Sequence, residues 1–113
     1  MIRNTFGKDS EVVLGGAKQL GSAIRYARKR RRMTLQELCN RTGMSYQTAR
    51  RLEMGDPVVG IGMVISALWV LGLWPKVLES VSPDADMTGI QEDLNRLPKR
   101  VRVSRKQAHD FNF

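Results

Sequence analysis

Two helix starts separated by a glycine turn lie within residues 34–55, TLQELCNRTGMSYQTARRLEMG, and they leave the middle of the chain little choice of fold. Thr34 followed by Glu37 has the spacing of a capping box, so a helix should begin at Leu35. Leu35, Leu38, Cys39 and Thr42 recur on one face of it at helical spacing. Gly43 can take a left-handed conformation at little cost, and Ser45 is a second N-cap. A second helix then runs from Tyr46 to about Met54, stopped by Gly55 and by Pro57 just beyond. In it Ala49 and Leu52 point one way, while Gln47, Arg50, Arg51 and Met54 point largely the other.

A short helix that buries small apolar residues, exposes Gln and Arg, and is held across a first helix by a Gly turn is a helix-turn-helix arrangement. The stretch resembles the repressor-type helix-turn-helix domain of phage repressors and many bacterial regulators. Leu38, small Cys39, Gly43, Ser45, Thr48, and an apolar residue before Glu53 and Gly55 carry that likeness without a gap. The resemblance implies an all-α fold, a five-helix repressor-like helix-turn-helix domain; a basic C-terminal extension with a candidate short strand follows it. It implies that Tyr46, Gln47 and Arg51 stand where the family reads bases, with Thr48 and Arg50 nearby. It also implies that Arg28 ties helix one to Glu53 of helix three, an architectural pair rather than a DNA contact. The family often carries Gln as the first residue of helix two. This chain has Leu35 there, so either Gln36 takes over that phosphate contact or the contact is absent.

Charge placement suits a polyanion. The net charge is +8, and residues 1–33 carry nine Lys/Arg against two acids. The helix-turn-helix through Asp56 is balanced, three against three, residues 57–95 carry one base against five acids, and residues 96–113 carry six against one. Basic blocks on either side of a neutral reading element would grip phosphates from the flanks, although basic runs also solubilise surfaces. Cations near a helix C-terminus are favoured by its dipole, which accounts for part of the run Arg28-Lys29-Arg30-Arg31-Arg32. Five in a row exceed that need, so Lys29, Arg30, Arg31 and Arg32 are candidate phosphate contacts, together with Gln36 and Ser45.

Around the motif, residues 1–15 lack a period and are expected to form a loose arm or a short strand over Glu11–Leu14, punctuated by Gly15 and Gly16. Helix one should run from about Ala17 to Arg30 and bury Leu20, Ala23, Ile24 and Ala27. The uncharged stretch VVGIGMVISALWVLGLWP has a membrane span as its sharp alternative. Its three glycines, its serine and its short length favour a buried helix over about Ile61–Leu71, with Ile61, Val64, Ile65, Leu68 and Leu71 packed and Gly72 ending it. Trp74-Pro75 should open a helix to about Ser80, with Val77, Leu78 and Val81 inward. These elements place a helix-turn-helix domain at 16–81 and an extension with a basic tail at 82–113. In the extension SPDADMTG reads as a polar turn, Ile90–Leu97 as a short helix broken by Pro98, and Lys99–Val103 as an alternating strand. That strand, with Arg100 and Arg102, would pair across a dimer axis or lie along a phosphate backbone. Phe111 and Phe113 are candidate anchors for a partner.

Cys39 is alone, so an internal disulfide is excluded, and His109 is the only histidine. There is no His/Cys/acid cluster, no Gly-rich phosphate loop and no metal-ligand spacing, so neither an enzyme nor a cofactor is expected. RRM- and KH-like signatures are missing as well. The expected function is sequence-specific DNA binding by a cytoplasmic homodimer on a palindromic operator. The competing expectation is a protein-interaction module that uses the fold without base readout. LGSAIRYARKRRRMT, GDPVVGIG, ALWVLGLWPKVLESVSPDAD and LPKRVR together resemble antitoxin-repressors encoded beside HipA-like kinase toxins, which implies autorepression and a toxin partner.

Overall fold

Capped by Ser10, the first helix starts at Glu11, six residues before the expected Ala17, in the computed structural model, which describes Gly7 and residues 10–98. Helix α1 spans Glu11–Arg30, and the Ser10 hydroxyl accepts from the Val13 N–H at 3.2 Å. The expected arm or strand over 11–15 is therefore corrected to helix. A cap, and Glu11 in a first turn where the dipole favours an anion, outweigh the helix-weakening Gly15 and Gly16. A Cβ at either glycine would meet nothing within 4 Å. Gly15→Ala and Gly16→Ala should each therefore stabilise the chain by about 0.5–1 kcal/mol, read from urea unfolding midpoints.

Helices α2 (Leu35–Thr42), α3 (Tyr46–Glu53), α4 (Ile61–Val70), α5 (Trp74–Ser80) and α6 (Met87–Arg96) follow, with a 3-10 turn at Pro83–Ala85. The fold is all-α and no strand occurs among the described residues, which hold six α-helices: α1–α5 up to Ser80, and α6 over Met87–Arg96 where a short helix was expected at Ile90–Leu97. The strand expected at 99–103, Arg100, Arg102, His109, Phe111 and Phe113 all lie outside the described residues.

Residues up to Val77 make one compact unit and those from Leu78 a second, where the domain boundary was expected after residue 81. In the first unit α1 packs on α3, and α2 packs on both α3 and α4. The core joins Ile24 and Ala27 of α1, Met33, Leu38 and Cys39, Met44, Ala49 and Leu52, and Ala67, Leu68 and Leu71. Ile24 and Leu38 are its largest fully buried side chains, each contributing roughly 1.5–3 kcal/mol relative to exposure. Leu20 and Ala23, expected inside, are exposed, and Gly21 and Arg28 take the buried positions. Ile61 is likewise exposed, because it sits at the first position of α4, and Ala67 fills the core instead.

In the second unit α6 packs against the 3-10 turn, and Asp86 caps α6 through the Gly89 N–H at 3.0 Å. Val77, Leu78 and Val81, expected inward, are exposed in the single chain, as are Ile90, Leu94 and Leu97. No helix among the described residues is long and apolar enough to cross a membrane.

Candidate nucleic-acid interface

Local chemistry sets both ends of the α2–turn–α3 unit. Thr34 and Glu37 form a reciprocal capping box at the start of α2. Gly43 ends that helix with φ of 79°, the left-handed region where a Cβ is costly. The Ser45 hydroxyl then accepts from the Thr48 N–H at 3.1 Å and donates to the Thr48 hydroxyl at 2.9 Å, so both side chains serve the start of α3. At the far end α3 closes in a Schellman motif. The Gly55 N–H donates to the Leu52 carbonyl and the Asp56 N–H to the Arg51 carbonyl, with Gly55 at φ 86°.

Arg28 fixes α3 against α1. Its Nε donates to Glu53 Oε2 at 2.7 Å, its Nη2 to Oε1 at 2.9 Å, and its Nη1 to the Met33 carbonyl at 2.8 Å. Both residues are buried, and the charge-assisted bonds to Glu53 hold the guanidinium above its ordinary pKa against the opposing effect of burial. One arginine thus clamps the end of α1, the turn after it, and the last turn of α3. Burial also pushes the Cys39 thiol up, which keeps it protonated and unreactive.

The outward face of α3 presents Tyr46, Gln47, Arg50 and Arg51, all exposed, with Thr48 half-buried. Gln47, Arg50, Arg51 and Met54 border one shallow depression together with Gly55 and Asp56. Tyr46 and Arg50 border a second with Arg25, on the side toward α1. Arg51 is not free on this face: its Nε donates to Asp56 Oδ2 at 2.7 Å. The Val58 N–H first, and Arg51 second, hold the Asp56 carboxyl below the usual carboxylate range. The interaction is therefore at full strength above that range and is lost as pH falls through the depressed value.

The expected phosphate contacts are differently placed. Lys29 and Arg30 are exposed on the last turn of α1. Arg31 folds back, its Nη1 donating to the Ala27 carbonyl at 2.7 Å, so part of the basic run caps its own helix. Arg32 takes a left-handed conformation, φ 53°, in the turn to α2. Gln36 is exposed, and its amide donates to Asn40 at 3.0 Å along α2.

Sequence reasoning missed Arg25 and Asp56. Arg25 lies one turn before Arg28 on the same side of α1, separated from the basic run at 28–32 by Tyr26 and Ala27. Asp56 in Gly-Asp-Pro carried the sign of a turn-forming aspartate and was counted only as charge. Among known proteins, no family model, no curated protein and no solved structure matches the chain.

Proposed function

We propose that the protein is a sequence-specific DNA-binding transcriptional regulator of the repressor-type helix-turn-helix kind, acting as a two-fold dimer. The observation that carries this is α3 itself. Its Ala49, Leu52 and Glu53 are locked inward while Gln47, Arg50 and Arg51 stand outward on one rigid face. A helix so held can lie in a major groove, where Gln matches adenine N6/N7 and Arg matches guanine O6/N7. The positive dipole ends at the starts of α2 and α3, with Lys29, Arg30 and Arg32, supply charge for the phosphates on either side.

The wider sequence resemblance extends the proposal to an autorepressor that also binds a HipA-like kinase toxin, both in the cytoplasm. Exposed Ile90 and Leu94, one turn apart on α6, and exposed Leu97 just after it support a contact with a second subunit or with such a partner.

Selection from a randomised duplex library tests the central reading. The wild-type chain should enrich a defined palindromic motif. Arg51→Ala and Gln47→Ala should each bind the enriched duplex roughly 5–150-fold more weakly, with little change on an unselected duplex. Equal binding to both duplexes by the wild type would instead favour the protein-interaction module.

A further inference from the structure

We propose that Asp56 is a positioning residue for base readout: it holds the Arg51 guanidinium in a fixed orientation through Nε while touching no base itself. The inference rests on the reading of α3 as the element that senses DNA.

Residues 51 and 56 are linked twice. The Schellman motif joins the Asp56 N–H to the Arg51 carbonyl at 3.0 Å, which stacks the turn over the helix end. The side chains then join at 2.7 Å. Asp56 cannot swing, because its second oxygen, Oδ1, accepts from the Val58 N–H at 2.8 Å. Nor can the turn shift toward α1: Gly55 abuts it so closely that a Cβ there would stand 2.6 Å from the Lys18 Cα. The carboxylate is therefore a rigid anchor, and Arg51 is the flexible partner that it orders.

Stability does not account for the pair. Arg51 and Asp56 side chains are 45% and 29% exposed, and ion pairs of that exposure add little to folding. Binding to a polyanion does not account for it either, since a carboxylate beside the reading face repels phosphate. What the pair does accomplish is orientation. Arg is long and rich in rotamers, and ordering it before binding removes an entropy cost that would otherwise fall on the complex. With Nε engaged, Nη1 and Nη2 remain as the donors for guanine O6 and N7. The two consequences of the carboxylate have opposite signs: it weakens binding to any duplex and sharpens the choice among duplexes.

The test applies randomised-library selection and competition binding to the full chain and to Asp56→Asn, Arg51→Ala and the double variant. Asn retains an acceptor for the Val58 N–H, and preference is read as a ratio between duplexes, which a partly unfolded preparation leaves unchanged. Asp56→Asn should lower the preference for the guanine lost in the Arg51→Ala motif by roughly 3–10-fold. The same variant should bind an unselected duplex about 2–5-fold more tightly. In the Arg51→Ala background Asp56→Asn should leave base preference unchanged. If Asp56→Asn keeps the full guanine preference while Arg51→Ala abolishes it, the positioning role is wrong and base readout by α3 stands. If Arg51→Ala leaves every base preference intact, the positioning role falls, and base readout by α3 then rests on Gln47 and Arg50.

Discussion

A Glu53→Ala variant is expected to lose about 3–5 kcal/mol of folding stability, because it strands the Arg28 guanidinium without a counter-charge. Arg28 is 8% exposed and spends two of its three nitrogens on Glu53. For a domain of this size the loss corresponds to a fall in Tm of roughly 12 °C or more. Arg28→Met with Glu53→Leu is the informative companion. Removing both charges also removes the desolvation penalty, so the double variant should be more stable than Glu53→Ala. It should still fall short of the wild type, since the Met33 carbonyl loses its donor, an unmet bond of about 1–3 kcal/mol if it stays buried. Thermal melts of the single and double variants measure both effects. A Glu53→Ala chain that melts within a few degrees of the wild type would contradict the assignment of the pair as the clamp between α1 and α3. The second consequence concerns DNA: a double variant that recovers stability but loses selectivity would show that the pair sets the pose of α3 more than its stability.

What was legible beforehand follows the range of the interactions involved. The limits of α2 and α3 were readable because their caps are contacts three residues apart, Thr34 with Glu37 and Ser45 with Thr48. The Arg28–Glu53 pair spans 25 residues and came from resemblance alone. The start of α1 was misplaced because Gly15 and Gly16 look like a break, while their solvent exposure makes them merely weak helix. Its inward face was misread for a related reason. Apolar periodicity pointed to Leu20 and Ala23, whereas the helix turns Gly21 and Arg28 toward α3. Val77, Leu78 and Val81 show the limit of periodicity itself. It marks a face suited to cover without saying whether this chain supplies the cover, and in the single chain they stay exposed. On α3, the outward set Gln47, Arg50 and Arg51 was readable from helical spacing. The Asp56 clamp was not, because it depends on a backbone turn that brings the end of one helix back over its own side chain.

Gly21 leads to the other large effect, with a sign opposite to that at Gly15 and Gly16. Alanine favours a helix interior over glycine by about 1 kcal/mol, so Gly21→Ala would stabilise α1 if nothing lay beside it. A Cβ there would stand 2.5 Å from the Leu52 carbonyl oxygen and 2.8 Å from that of Glu53. Both obstacles are backbone atoms of α3, so no rotamer change relieves them and the helices must separate. Gly55 blocks a compensating slide, since it already rests against Lys18 one turn earlier in α1. Overpacking of this kind costs about 1–3 kcal/mol, and the separation also stretches the 2.7 and 2.9 Å bonds between Arg28 and Glu53. The clash therefore outweighs the propensity gain. Gly21→Ala should be destabilised by about 1–3 kcal/mol and Gly21→Val by more, both read from urea midpoints beside the stabilised Gly15→Ala control. Because the displaced element is the one proposed to enter the groove, selective DNA binding should weaken in Gly21→Ala even at temperatures where the chain is fully folded. A Gly21→Ala chain as stable as the wild type would mean that α1 and α3 do not approach each other this closely in solution.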